Sequence, residues 1–503
     1  MNRVVAAPRQ EGLTTQVMSA LRGSALVKLV GQLLNWSITL FTMRILVPDD
    51  YGLVAMLTLI FLFLGMLGDM GFDSSIIQSP TLTTDEFRKT FGAALVVNVA
   101  ICVALVAAAP AIARFYNEPR LVDMARVAAL GFVLTAPCQI YNGLLQREMR
   151  FRASAMIEIG SGVVGNIATL AFALSGYGAW ALILGTLLAG PLRAALLIGT
   201  ASIRAWPSFR LAGTLRLWRF GGNVLATRIV WYWTSQADIL IAGKFLGKEA
   251  LGLYSVAVHL ASLPMQRASG MINGVAFSAF AKIQNDPRAV ARNTRLAVRL
   301  MAFVTFPVLW GIAAVAPELV HLAIGPTWQP SILPLTLVAL TIPIRMIGSV
   351  ITTTIMSMGR VDIALVTTLI GTCIAPPLFL VGARHGIVGL SVAWLVVTPI
   401  LFSLNMFRAL PILGLSFRVV ASEMWRPLLV SAVMFGIVAA TRDRLFGTPD
   451  FALFVILVAT GALVYGAGTW IVNRAASVEA LTLLFPTLLP AISARMRGRS
   501  SAA

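Results

Sequence analysis

Between residues 91 and 113 the chain carries no charged side chain, and the same is true from 451 to 472. A helix of about 18–20 apolar residues spans the roughly 30 Å hydrocarbon layer of a bilayer. Such runs recur along most of the sequence, which restricts the fold to one in which each segment satisfies its own backbone hydrogen bonds. Composition agrees. Of the 503 residues, 58% are hydrophobic and 12% charged, and the mean hydropathy is +0.86. A soluble domain is nearer 45–50% apolar and about 25% charged. An ordinary soluble enzyme, a disordered chain and a secreted disulfide scaffold are excluded, and the fold class is an all-α polytopic membrane protein.

The hydropathy pattern predicts about fourteen spans, at 23–46, 52–77, 91–113, 122–145, 153–175, 178–200, 220–243, 250–280, 300–316, 329–356, 363–383, 387–407, 425–440 and 452–473. Small residues allow close helix packing, and Gly160, Ser161, Gly162 and Gly165 form one such face. The even number puts both termini on one side. If the N-terminus is cytoplasmic, the inside segments hold 26 Lys and Arg against 9 outside. Cytoplasmic loops collect Lys and Arg, so both termini are expected in the cytoplasm. The same bias accounts for the net charge of +19 without nucleic acid. Residues 1–22 are polar, and no short apolar core with a cleavage site marks a removable signal peptide.

Cys102, Cys138 and Cys373 fall in apolar segments without a CxxC, so neither disulfide framework nor zinc site is expected. The longest polar stretches, 201–219 and 282–299, leave no room for a soluble catalytic domain. No cofactor and no metal are expected.

A weak internal repeat appears at a shift of 200 residues. Leu46, Gly52 and Leu53 fall on Leu246, Gly252 and Leu253, and Asp49 falls on Glu249. Gly178 matches Gly386 at a shift of 208. Duplication of six spans gives two halves of equal orientation about a pseudo-two-fold axis along the membrane normal, with a site expected between them. The expected divisions are a cytoplasmic segment 1–22, a six-helix bundle 23–200, a cytoplasmic linker 201–219, a second bundle 220–410, two added helices 411–475 and a cytoplasmic tail 476–503.

Four cations lie inside spans: Lys28, Arg228, Arg267 and Arg345. Lys28 falls on Arg228 at the repeat shift. A cation in the bilayer centre costs roughly 2.5–3.5 kcal/mol on insertion scales, so these are expected to face a cavity or partners. A cationic cavity suits an anionic substrate, and Arg suits phosphate. The acids inside spans are Asp69, Asp73, Glu158 and Asp238. Asp69 and Asp73 are four apart and would share a helix face, where paired carboxylates can share a proton or hold a cation. His259 can titrate near neutral pH. These five are the expected ion-coupling residues. The competing reading is that acids and bases merely pair and hold helices together. Trp231 and Trp233, beside Arg228, can stack on sugars, although tryptophans in spans also serve as packing and interface anchors.

Several segments resemble one family. They are Gly68-Asp69-Met70-Gly71-Phe72 with Ser75-Ile76-Ile77-Gln78, Arg219-Phe220-Gly221, and Ala279-Phe280-Ala281-Lys282-Ile283-Gln284-Asn285-Asp286. Gly325-Pro326-Thr327-Trp328, Pro334 and Gly359-Arg360-Val361-Asp362 complete the set. From about residue 20 to 475 the chain resembles the polysaccharide transporter family of the MOP flippase superfamily, of the colanic-acid, xanthan and O-antigen type. The resemblance implies two six-helix bundles plus two C-terminal helices. It also implies alternating-access transfer of undecaprenyl-diphosphate-linked oligosaccharide across the bacterial inner membrane. Coupling to a proton or sodium gradient, contact with membrane lipid, and partnership with a polysaccharide polymerase and chain-length machinery are implied with it. It assigns no ligand residue, because its motifs sit at span ends. The alternatives are a peptidoglycan-precursor flippase and a drug/cation antiporter of the same superfamily. An acyltransferase built on His259 lacks a second polar partner in the sequence, so no enzyme is expected.

Overall fold

The computed structural model describes residues 31–79, 81–210, 232–233, 235–445, 447 and 449–472, with backbone alone at 78 and 264–279. The described elements are helical. In chain order they are α1 (residues 31–45), α2 (Pro48–Asp69), α3 (Phe72–Gln78), α4 (Thr84–Tyr116), α5 (Leu121–Arg147), α6 (Phe151–Leu174), α7 (Ala179–Thr200) and α8 (residues 235–245). There follow α9 (Gly247–Ile283), α10 (Pro287–Ala314), α11 (Ala316–Ala323), a 3₁₀ turn (Pro326–Ser331), α12 (Ile332–Ser357), α13 (Val361–Ala383), α14 (Gly386–Ala409), α15 (Phe417–Arg444) and α16 (Asp450–Val472). Among the described residues, eleven segments are long and apolar enough to cross a membrane. They match the second to sixth and ninth to fourteenth expected spans. The other three expected spans are helical where they are described, at 31–45, 235–245 and Gly247–Ile283. The remainder of the first and seventh spans lies outside the described residues.

Helix ends extend beyond the hydropathy limits because caps are polar. Helix α4 starts at Thr84 rather than near 91. Thr83 Oγ1 accepts from Glu86 N at 3.2 Å, and Glu86 Oε2 accepts from Thr83 N at 3.0 Å, a reciprocal pair that satisfies two orphan donors. Helix α10 starts at Pro287 rather than near 300. Asp286 Oδ1 accepts from the N–H groups of Arg288 and Ala289, each at 3.0 Å, and Pro287 needs no donor partner in the first turn. The second expected span is two helices. Met70 at φ 34° and Gly71 at φ 73° are left-handed and end α2 before α3 begins.

Contacts divide the chain into two units that meet at Ser255 and Val256, inside α9. In the first unit α4 runs against α5, and α7 packs on both α5 and α6. Ile101, Leu105, Ala129 and Phe132 fill the α4–α5 seam, with Phe61 of α2 stacked on Phe132 at 5.2 Å. At one end Phe72, Ile76, Phe87, Tyr141, Leu144 and Leu197 form a second core. Of the expected small-residue face, Gly165 is the position pressed on α7, where an added Cβ would stand 2.8 Å from Ala189 Cβ; a Cβ on Gly160 would meet nothing.

In the second unit α10 lies between α12 and α15, and α14 packs on α12 and α13. The C-terminal pair is fastened to this unit by polar bonds. Glu423 of α15 is buried and accepts from Arg299 Nε at 2.6 Å and from Arg295. Arg442 donates to Glu318 of α11, its terminal nitrogen reaching Oε2 at 2.9 Å. Tyr465 of α16 donates to Phe303 O at 2.7 Å. Removing a buried carboxylate leaves two guanidinium groups facing each other across an apolar seam. Because both arginines reach solvent in part, Glu423→Gln is expected to cost about 1–3 kcal/mol. Thermal unfolding in detergent checks this, with Ser422→Ala on the exposed side as the unchanged control.

Candidate functional site

At the start of α2 and of α9 the chain backbones touch. A Cβ built on Gly52 would stand 1.8 Å from Lys248 O, and one on Gly252 would stand 1.8 Å from Pro48 O. Both obstacles are backbone, so neither position accepts any side chain without moving a helix. The contact is reciprocal at the repeat spacing: Pro48 and Lys248 are 200 apart, as are Gly52 and Gly252. The two Gly-Leu segments of the sequence repeat therefore meet each other locally.

Charged groups surround this crossing. Lys248 Nζ lies 2.9 Å from Glu118 Oε2 and 3.5 Å from Asp49 Oδ2, and Arg120 Nε lies 3.0 Å from Glu118 Oε1. Asp50 ties the start of α2 to the start of α7. Its Oδ1 accepts from Ala179 N at 2.9 Å and its Oδ2 from Val47 N at 3.3 Å. Gly178 precedes that bond at φ 54°. Burial pushes the Glu118 carboxyl up, but hydrogen bonds from Lys248 and Arg120 outweigh it and hold it below the usual carboxylate range. None of these residues was a sequence candidate except through the glycine repeat, which was the signal that pointed here.

An apolar cavity of ≈ 340 Å³ opens in the first unit between α2, α4, the helical residues 232–233 and α8. Leu59, Phe63, Ala111, Phe115, Trp233 and Gln236 line it. Phe63 lies 5.6 Å from the ring of Tyr232 and 6.4 Å from that of Trp233. Tyr232 spends its hydroxyl on Leu59 O. Gln236 also lies along this cavity, whose wall is aromatic and aliphatic.

Next to it, Asp238 is 3% exposed. Its Oδ2 accepts from the Tyr254 hydroxyl at 2.7 Å and its Oδ1 from Ile239 N at 2.9 Å. Tyr254 is wholly buried, so α8 and α9 share an internal carboxylate–phenol pair. The other predicted acids are placed differently. Asp69 ends α2 and Asp73 lies in the first turn of α3, so the two do not share a helix face as expected. The left-handed pair Met70-Gly71 interrupts the 3.6-residue register between them. Asp69 accepts from the Gln139 amide, and Asp73 Oδ1 accepts from Ser74 N at 2.6 Å. Glu158 is exposed on α6 and His259 is half-buried in α9.

In the second unit the Arg345 guanidinium stacks over Trp394 at 4.2 Å from the ring centroid. Trp394 is 5% exposed and packs on Phe379 at 4.9 Å. Pro343 and Gly348 flank Arg345 on α12, and Asn405 of α14 donates to Gly348 O at 3.2 Å. Lys28, Arg228 and Trp231 lie outside the described residues, as does the side chain of Arg267. Among the described residues no group of three or more His, Cys, Asp or Glu could hold a metal ion.

The crossing at Gly52 and Gly252 predicts a local response. Gly252→Val is expected to raise amide exchange in segments 46–53 and 246–253 at least about tenfold, because a branched side chain cannot sit against Pro48 O. In the unsubstituted protein this protection is expected to persist from pH 8 to pH 5. A depressed carboxylate contributes above its ordinary value of about 4.3 and is lost only as pH falls through its lower folded value. Hydrogen–deuterium exchange with mass spectrometry reads both.

The profile of a family described as "Polysaccharide biosynthesis protein" matches residues 42–333. Lipopolysaccharide biosynthesis protein WzxC of Escherichia coli (strain K12) is 28% identical over 392 residues, which covers 77% of this chain and 80% of that protein. Teichuronic acid biosynthesis protein TuaB of Bacillus subtilis (strain 168) is 25% identical over 415 residues, 79% of this chain and 83% of that one. Among solved structures, the lipid II flippase MurJ in an inward closed conformation superposes with a TM-score of 0.72 at 14% identity, covering 91% of this chain and 99% of its own. An inward-facing MATE family multidrug transporter of the MOP superfamily gives 0.59 at 14% identity, over 77% of this chain and 98% of its own. At such identities the structural likeness concerns the fold.

Proposed function

The chain belongs to the polysaccharide biosynthesis protein family, and from that premise we propose that it is a flippase for undecaprenyl-diphosphate-linked oligosaccharide repeat units. It is a multi-pass membrane transporter with a MurJ/MATE-like fold, not an enzyme. The observation that carries the proposal is the conjunction of two matches. The family profile and the relatives concern polysaccharide biosynthesis, while the fold that covers 91% of the chain is that of a lipid II flippase. A transporter of this fold in a polysaccharide pathway has a lipid-linked glycan as its natural cargo.

In this reading the chain has fourteen spans. Six form a bundle over 23–200 and six a second over 220–410, related as parallel repeats, and two are added over 411–475. Residues 1–22 and 476–503 lie in the cytoplasm with the linker 201–219, and the membrane is the bacterial inner membrane. Lys28, Arg228, Arg267 and Arg345 hold the diphosphate. Arg345 suits this role because Trp394 holds its guanidinium, a group that binds phosphate well, over the ring face. Trp231 and Trp233 meet the sugar, and Phe63 beside Trp233 supplies a stacking wall. Asp238, held by Tyr254, is the buried carboxylate best suited to take up a proton or sodium ion. Asp69, Asp73, Glu158 and His259 complete the proposed coupling set. Ion binding biases the inward-open and outward-open states only through different affinities for the two. A polymerase and chain-length machinery take the product on the far side.

Inner-membrane vesicles loaded with lipid-linked oligosaccharide test the proposal. The unsubstituted protein is expected to transfer the glycan between leaflets. A Lys28→Ala, Arg228→Ala, Arg345→Ala variant that inserts normally is expected to lose transfer at least about 100-fold, since hydrogen bonds to charged groups contribute about 1.5–3 kcal/mol each. Equal transfer by both would move the diphosphate site elsewhere. Absence of transfer by the unsubstituted protein, with efflux of organic cations instead, would turn the reading to the antiporter. Transfer of lipid II in preference would turn it to the peptidoglycan-precursor flippase.

A further inference from the structure

After α7 ends at Thr200, residues 201–210 cross the ends of α4 and α5 as an extended strap. In extended chain successive side chains point to opposite faces. Here Ala201 and Ile203 are buried against the core that holds Phe87, Tyr141 and Leu197, while Ser202, Arg204 and Trp206 point outward. The backbone is fixed from beneath. Tyr141 donates to Ala205 O at 3.1 Å, and Arg88 Nε donates to Trp206 O at 3.1 Å. Ser208 N donates to Arg88 O at 2.8 Å, and Gly92 allows the approach, since a Cβ there would stand 2.0 Å from Ser208 O.

What this fixed backbone displays is unusual for a surface in water. Trp206 is 86% exposed and Phe209 62% exposed, flanked by Arg204 and Arg210. Three candidate spans end at this level: α4 at its start, α5 and α7 at their ends. The strap therefore lies at the height where hydrocarbon gives way to headgroups. Segments 81–92, 146–152 and 193–210 carry eight Lys and Arg and three acids. Each acid is already engaged. Asp85 pairs with Lys89 at 2.7 Å, Glu86 caps α4, and Glu148 meets Ser202 and Arg150. The outward surface is thus cationic with two large aromatic rings, a combination complementary to a plane of phosphates over acyl chains.

We propose that residues 201–210 form a rigid interfacial strap that binds anionic phospholipid headgroups. Trp206 and Phe209 enter the headgroup layer and Arg204 and Arg210 bind phosphate. Anionic lipid is then held at this end of the first unit whatever cargo the protein moves, so the inference does not depend on the proposed transport.

Full-length protein in neutral detergent, titrated with phosphatidylglycerol or phosphatidylcholine and read by native mass spectrometry, tests it. A lysine or arginine near an anionic surface is worth about fivefold in affinity. The unsubstituted protein is expected to prefer phosphatidylglycerol by about tenfold or more, and high salt is expected to reduce that preference. Arg204→Ala, Trp206→Ala, Arg210→Ala together are expected to remove most of it. These side chains are exposed, and an unchanged unfolding temperature shows that the fold survives. Arg204→Lys with Arg210→Lys is expected to retain the preference, and Arg126→Ala, outside the strap, to leave it untouched. Equal binding of the two lipids by the unsubstituted protein would overturn the proposal and leave the face for a soluble partner. An undiminished preference in the triple variant would overturn it as well.

Discussion

Hydrocarbon supplies no hydrogen-bond partner, and every feature of this chain is arranged around that fact. Each spanning backbone closes its own bonds as a helix. The polar side chains inside spans mostly return to the same backbone. Thr42 donates to Ile38 O, Ser161 to Ile157 O, Thr169 to Gly165 O and Thr305 to Met301 O, all four residues back. Asn98 reaches Ala94 O at 2.9 Å by the same route. These groups add little specificity. Some polar groups are instead paired across helices, as Asp238 with Tyr254, Asn405 with Gly348 and Glu423 with its two arginines.

Without a hydrophobic drive between helices in lipid, association depends on close packing. Gly52 and Gly252 bring two helix starts to backbone contact, and Gly165 and Gly185 do the same for α6 and α7. Contacts of this kind have no slack. They are either seated or broken. Around Gly52 the ion pairs of Lys248 with Glu118 and Asp49, and the bonds that Asp50 accepts from Ala179 N and Val47 N, lie at helix ends, where they hold a seated contact without the cost of burying charge deep in lipid.

Much of this was legible beforehand. Eleven expected spans coincide with spans of the structure, because an apolar run of the right length has one stable form in a bilayer. The Gly-Leu repeat at 46–53 and 246–253 marked the segments that touch. What hydropathy missed was the interruption after Asp69. Met70 and Gly71 are apolar and small, and their left-handed turn leaves no trace in a window average. The start of α4 and the start of α10 were placed late for the matching reason, since their caps are the polar residues a hydropathy scale assigns to loops.

The candidate site divides in the same way. Composition and the pattern of charges identified which side chains are too costly to leave in lipid, and so named Asp238, Arg345 and the other candidates. Their partners were not readable. Trp394 is 49 residues from Arg345, and Tyr254 is sixteen from Asp238 on another helix. The sequence by itself determined the solvent and the helical form, because transfer free energy is a property of single residues and short windows. It named Asp238, which is buried, but not the buried Glu318 and Glu423, and it named Glu158, which is exposed. The tertiary structure decided which carboxylate meets a hydroxyl, which guanidinium meets a ring, and which aromatic strap stays outside. Those outcomes depend on helix rotation and approach, and helix rotation in lipid is set by side chains far apart in the chain.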